Sequence, residues 1–216
     1  MEDIWFDRLE EKLKDIPVFR NPRRRKKMWE KYLLDTSLVE GDILEFGVYA
    51  GGSIGWFCQK FPDTQVYGFD SFEGLPEDWD LGNQILRKGH FSQAGKHPVF
   101  KKHANIDNIN WVVGLFEDTI PIWRESNSSK IKILHIDCDL YSSTVTVLDG
   151  IKDRLQVGTY ILWDELTHFP KHPQYKHNRL HEYKAFKEFC EDNPTFDFNV
   201  IARTDACQVL TKITHL

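Results

Sequence analysis

ILHIDCDLYSST, residues 133–144, is the stretch whose reading decides the fold. Its first four residues are those of a buried strand, and they run straight into two aspartates, Asp137 and Asp139, with Cys138 between them. In an extended chain alternate residues share a face, so the two carboxylates are expected to project together while Cys138 points to the other side. Like charges at a strand end are costly to bury unless something positive lies against them. The stretch therefore predicts a strand whose end receives a cationic ligand.

Outward from this strand the chain alternates. Strands are predicted at 42–48, 65–70, 109–115, 130–137 and 159–165, with helices at 52–60, 117–126, 143–155 and 179–191. Such alternation means a mostly parallel sheet with helices on both faces. Two further strands, 197–203 and 207–213, read as a closing antiparallel hairpin, giving an α/β fold with a seven-stranded mixed sheet. At the N-terminal side, 3–14 and 22–34 read as helices, so residues 1–36 are expected to form a helical segment packing on a domain of 37–216. Residues 71–108, rich in glycine, proline and histidine, break the alternation and read as a lid over the site, with room for a short helix.

Composition limits the function. The 216 residues suffice for one domain with a substantial core. A net charge of −5 argues against nucleic acid as a partner, and no apolar run approaches the ~20 residues that span a bilayer. MEDIWFDRLEEKLKDIP lacks the apolar stretch of a signal peptide, so a cytoplasmic location is expected. The four cysteines follow no C-x-x-C spacing, which points to neither a disulfide framework nor a zinc site. The basic run RRRKK, 23–27, reads as a solvated helix face.

Acids gather at the strand ends: Glu45, Asp70, Asp137 with Asp139, and Asp164 with Glu165. Open parallel sheets bind ligands along that edge, so the ligands are expected to be positively charged. The turn EFGVYAGGS, 45–53, brings Gly47, Gly51, Gly52 and Ser53 to the same edge with no Lys or Arg, a poor pyrophosphate cradle but a suitable one for an amine or sulfonium. Asp70 lies 23 residues after Gly47, near the spacing at which an acid takes ribose hydroxyls. A nucleoside with a cationic tail satisfies both ends, and S-adenosylmethionine is such a molecule. Phe116, just past the third strand, is the best-placed aromatic for the adenine. His135, inside a strand, reads as structural, and His90, His97, His103, His168, His172, His177 and His181 as loop histidines. Glu182 and Tyr183 begin a helix near the same edge.

EFGVYAGGS, GFDSFEGLPEDW, GLFEDTIP, HIDCDLYSST and LWDE, in this order, resemble the successive motifs of the macrocin O-methyltransferase (TylF)-type family of class I methyltransferases. The resemblance implies a single Rossmann-like domain that methylates a hydroxyl of a small molecule, on a sugar or natural product, with S-adenosylmethionine and magnesium. It places the methionine moiety on the glycine turn and near Asp137, the ribose on Asp70, and the adenosine by Ser71 and Phe72. Asp137, Asp164 and Glu165 match metal ligands and Asp139 the general base. A homo-oligomer is compatible with this reading; a membrane partner is not expected. Three alternatives use parts of the same pattern. A catechol-type phenolic acceptor also needs two oxygens on one metal. A metal-dependent hydrolase or phosphotransferase would use the acids but lacks a basic phosphate clamp. A non-catalytic cofactor-binding module would not need Asp139.

Overall fold

The computed structural model describes residues 9, 11–20, 24–34, 38–82, 84–100, 106–167 and 180–216. His103, His168, His172 and His177 lie outside the described residues. A short strand β1 (Val18–Phe19) precedes helix α1 (Arg24–Leu33). The alternating part follows: β2 (Asp42–Phe46), α2 (Ile54–Lys60), β3 (Val66–Asp70), then β4 (Trp79–Asp80) and β5 (Ile85–Leu86). Next come β6 (Ile109–Val113), α3 (Phe116–Ser126), β7 (Ile131–Ile136), α4 (Tyr141–Ile151) and β8 (Tyr160–Trp163). Helix α5 (Glu182–Asp192) and the hairpin β9 (Asp197–Thr204) and β10 (Val209–His215) close the chain.

The main sheet has the order β1-β9-β10-β8-β7-β2-β3-β6. Only β10 runs against its neighbours, β8 and β9. The sheet thus has eight strands, not seven: β1 pairs in parallel with the outer edge of β9. Inside 71–108 the described residues form the β4–β5 hairpin instead of a helix. Neither element is long enough to leave a periodic trace in the sequence.

Alternation along the strands sorts two apolar layers. Leu44, Phe46, Leu134, Ile136, Ile161 and Trp163 face α3, α4 and α5, where Trp123, Val147 and Phe186 meet them. Ile43, Val66, Ile133, Tyr160 and Leu162 face α1 and α2, against Met28, Trp29, Leu33, Ile54 and Phe57. Glu45 and His135, register partners on β2 and β7, occupy this second face although both are fully buried. No described helix is long and apolar enough to cross a membrane.

Helix α1 is anchored by Trp29, which stacks on Phe57 at 5.1 Å and packs on Trp56 at 5.3 Å and the His135 ring at 5.4 Å. Trp29→Ala is expected to cost about 3–5 kcal/mol of stability, the usual range for emptying a buried indole site. Urea denaturation of the two chains measures it; a loss below about 1 kcal/mol would mean that α1 is not part of the folded core.

Candidate functional site

The carboxyl ends of β2, β3, β6, β7 and β8 open on a cavity of about 540 Å³. It is lined on one side by the glycine turn with Gly47, Gly52 and Ser53, and on another by Asp70 and Ser71. Phe116 closes a third side, and Asp137, Asp139 and Glu165 form the acidic part. A further wall is apolar, with Leu75, Trp79, Leu81, Leu86 and Phe91 from the segment that carries the β4–β5 hairpin.

The glycine turn is built by contact and by charge. At Gly47, with φ +86°, a Cβ would overlap the Asp137 carbonyl oxygen, so only glycine lets β2 leave the sheet against the end of β7. Asp70 Oδ2 accepts the N–H groups of Val48 and Tyr49, each at 2.8 Å, and Oδ1 accepts that of Phe72 at 2.7 Å. A carboxylate has about four acceptor positions, so one remains for a ligand hydroxyl. The spacing that suggested a ribose acid thus also marks a residue that pins the turn.

The other expected cofactor residues divide. Glu45 is fully buried and reaches the cavity only through Ser53, whose Oγ donates to its Oε1 at 2.7 Å. Gly51 lies under Pro98 and Phe100, and Phe72 is buried against Trp111 at 5.8 Å; neither lines the cavity. Phe116 does, edge-on to Phe46 at 5.3 Å.

At the acidic end, β7 stops at Ile136 and the chain turns at Asp139, which has φ +63°. The extended chain from which Asp137 and Asp139 were expected to project together is therefore absent beyond the strand. The turn still brings Asp137, Asp139 and Glu165 together, with one carboxylate oxygen of each within 4.8 Å of the others. Asp164 is not in this trio, although it lies close to Asp137. Its Oδ1 accepts Arg25 Nη1 at 2.6 Å, and its Oδ2 accepts Gln208 Nε2 at 3.3 Å. It belongs to a second group with His135 and Asp137. His135 Nε2 stands 3.7 Å from Asp164 and 3.9 Å from Asp137, while its Nδ1 is 3.4 Å from Glu45 Oε2.

Arg25 is what the sequence reading missed. The basic run is not wholly solvated: Arg25 lines the cavity and also reaches Asp137 at 3.4 Å. Its spacing from Trp29, one helical turn, was the available signal, because it puts Arg25 on the buried face of α1. Glu182 is fully buried; its Oε2 accepts the Glu165 N–H at 3.0 Å.

Charge is short of compensation here. Burial and the Asp164 charge push the Asp137 carboxyl up to about 7, against the opposing pull of His135 and Arg25. Burial raises Glu182 to about 8, and burial with neighbouring acids holds Asp139 and Glu165 well above the carboxylate range. Asp164 is the exception, held low because Arg25 and His135 outweigh its burial. Burial disfavours the His135 imidazolium, but the carboxyl groups of Asp164, Glu45 and Asp137 around it raise it to about 10. Oε2 of Glu165 is buried with no hydrogen-bond partner. Raised carboxyls, an orphaned oxygen and hard oxygen donors in one trio fit a divalent cation of the magnesium type.

The parallel sheet with its antiparallel closing hairpin and strand-end cavity defines a class I methyltransferase fold. It superposes on a calicheamicin methyltransferase structure with a TM-score of 0.67 at 23% identity, covering 87% of this chain and 77% of that one. A mycinamycin-pathway methyltransferase in complex with Mg and SAH superposes with a TM-score of 0.51 at 13% identity, over 89% of this chain and 49% of that one. Residues 26–201 match the macrocin O-methyltransferase (TylF) family model, and the chain belongs to that family. A curated relative, the 8-demethyl-8-(2,3-dimethoxy-alpha-L-rhamnosyl)-tetracenomycin-C 4'-O-methyltransferase of Streptomyces olivaceus, is 29% identical over 153 residues, 62% of this chain and 58% of the relative. The matches span 56–64% of the length of the three curated relatives.

Two outcomes follow from the geometry. Asp70→Ala orphans three backbone donors and is expected to lower stability by about 1.5–3 kcal/mol in ligand-free protein. Denaturation would show no change if Asp70 served a ligand alone. The second concerns pH. Unfolded Asp and Glu ionise near pH 4 and unfolded His near 6.5, whereas folded Asp137, Glu182 and His135 hold protons to about 7, 8 and 10. The folded state therefore binds more protons between about pH 5 and 9, and metal-free protein is expected to lose stability as pH rises through that window. Thermal melts at pH 5.5 and 8.5 measure it, with added magnesium recovering more at the higher pH.

Proposed function

We propose that this protein is an S-adenosylmethionine-dependent O-methyltransferase acting on a hydroxyl of a sugar-bearing or other natural-product acceptor, with a magnesium ion at the acid trio. The observation that carries this reading is the meeting of a glycine turn and an acid cluster in one cavity of about 540 Å³, within the usual size of small-molecule sites. The name of the Streptomyces olivaceus relative and the Mg and SAH bound to the mycinamycin-pathway enzyme support it. Arg25 is the only Lys or Arg among the described residues lining the cavity, and it is paired with acids, which disfavours a phosphoryl-transfer reading.

In this proposal Gly47 and Gly52 let the methionine end of the donor approach the backbone, the acids beside them favour the sulfonium, and Asp70 offers its remaining acceptor position to the ribose. Asp137 and Glu165 hold the cation, in keeping with the one or two carboxylates that magnesium usually takes from a protein. When bound, the cation would stabilise the charge that develops on the acceptor oxygen. Asp139 removes the acceptor proton; burial and the acids around it raise its carboxyl, which makes it a stronger base once ionised. The apolar wall from Leu75 to Phe91, packed through Leu75, Trp79 and Leu81 on Leu140 beside Asp139, excludes water from the cavity.

The test separates Asp137 from Asp139. Asp137→Asn is expected to raise the magnesium requirement. Asp139→Asn is expected to leave cofactor binding intact and slow single-turnover methyl transfer by ~10²–10⁴, with partial rescue at high pH. Magnesium titration beside single-turnover transfer to a rhamnosylated acceptor reads both. Equal metal defects and equal rate losses would make Asp139 a ligand and refute its role as the base.

A further inference from the structure

We infer that Tyr49 and Phe91 are specificity-determining residues for the acceptor: their facing rings at the cavity rim seat a flat, uncharged ring of the acceptor, joined to the part whose hydroxyl reaches the acids. The inference rests on the reading of the cavity as a methyltransferase site and deepens it by naming the chemistry that the rim selects.

Tyr49 is 51% exposed and Phe91 38%, yet both line the cavity, which places them at its rim. Their ring centroids are 5.5 Å apart, with planes inclined at 65°. Neither ring belongs to the apolar layers on the two sheet faces or to the cluster around Trp79 and Leu140. Each also sits on backbone of positive φ, +50° at Tyr49 and +68° at Phe91. A half-exposed aromatic side chain in that region gains little from packing to offset its strain, and such outliers gather at ligand clamps.

Hydrogen bonds of the neighbouring backbone hold both rings in place. Asp70 accepts the Tyr49 N–H at 2.8 Å, and its other oxygen accepts the Phe72 N–H at 2.7 Å. The Phe72 carbonyl accepts the N–H groups of Gln93 and Gly95 at 2.8 and 2.9 Å, and Leu75 N–H donates to the His90 carbonyl at 2.9 Å. At Gly74, with φ +84°, a Cβ would overlap that same carbonyl, so the two sides of the loop touch there. The rings come from separate segments that share Asp70 as an anchor, and they are therefore set before a ligand arrives.

The surroundings decide what the pair can take. Leu115, 39% exposed, continues the apolar rim. Among the described residues the cavity has one Lys or Arg, Arg25, and it is engaged by Asp137 and Asp164. A phosphate-linked acceptor would bring negative charge to acids with no cation to receive it, whereas a neutral one would not. Aromatic side chains hold flat rings by stacked or edge-on contact. The adenine of the donor has Phe116 in this reading, which leaves the rim pair to the acceptor.

Calorimetry on protein saturated with S-adenosylhomocysteine and magnesium tests this with three probes that share one sugar: naphthyl α-L-rhamnoside, methyl α-L-rhamnoside and dTDP-L-rhamnose. Wild type is expected to bind the naphthyl compound at least about tenfold more tightly than either of the others. Phe91→Ala and Tyr49→Leu are each expected to remove most of that advantage, while methyl rhamnoside and S-adenosylhomocysteine stay within about threefold of wild type. Equal affinity for the two neutral rhamnosides, tightest binding of dTDP-L-rhamnose, or no binding of any probe would overturn the inference and leave the donor site standing. Variants that lose S-adenosylhomocysteine as well would also overturn it, because the rings would then belong to the donor. Should Phe91→Ala fail to fold, Phe91→Leu, which keeps bulk but no ring, decides by the same criteria. Wild-type protein that binds no S-adenosylhomocysteine would overturn the methyltransferase reading of the cavity itself, and this inference with it.

Discussion

Repulsion among buried and half-buried carboxyl groups is the constraint around which this molecule is organised. Glu45, Asp137, Asp139, Asp164, Glu165 and Glu182 converge where β2, β7 and β8 end, and the cations seated among them are Arg25 and His135. Two like charges 4 Å apart at a partly screened site repel by about 4 kcal/mol. Such a cluster persists only by holding protons, which Asp137 and Glu182 do near neutrality, or by acquiring a cation. The protein has settled one half of the cluster internally, through Arg25 and His135 around Asp164. In the half that faces the cavity, Asp137 shares Arg25 with Asp164, while no cation among the described residues pairs with Asp139 or Glu165.

The apolar layers make that arrangement affordable. Glu45 and His135 sit side by side on the sheet face covered by α1 and α2, ringed by Trp29 and Phe57. Their burial would be prohibitive singly; paired in register, with Ser53 taking the second Glu45 oxygen, each meets an opposite charge or a donor. The same packing that excludes water from them sets Arg25 in place. Stability and site electrostatics are therefore one property of the α1–α2 layer.

How much of this was legible in the sequence depends on the length of the pattern. β2, β3, β6, β7 and β8 were readable because runs of four to six apolar-rich residues declare a strand, and their acids then fell at one edge. β1 and the β4–β5 hairpin were not, since two residues carry no period. The Asp137–Asp139 pair was found through an alternation that does not continue that far; the left-handed turn at Asp139 produces the juxtaposition instead. Arg25 was hidden inside a run of five basic residues, where charge suggested solvent and only the spacing to Trp29 spoke for burial. Asp164 was legible as a strand-end acid, but its partner was not, because that partner comes 139 residues earlier in the chain.

Backbone strain marks the same places. Among non-glycine residues with positive φ are Tyr49 in the glycine turn and Asp139 at the acid trio, and both line the cavity. Each such conformation costs of order 1–3 kcal/mol and survives only where surrounding contacts over-determine it. For Tyr49 the contact is the hydrogen bond from its N–H to Asp70. For Asp139 it is the turn in which Leu140 N–H donates to the Cys138 carbonyl at 2.6 Å, followed by Leu140 buried against Leu75, Trp79 and Leu81. The apolar wall thus does more than close the cavity: it holds the strained turn that aims Asp139 at the other acids, so a change in that wall acts on the acid trio as well as on whatever the wall touches.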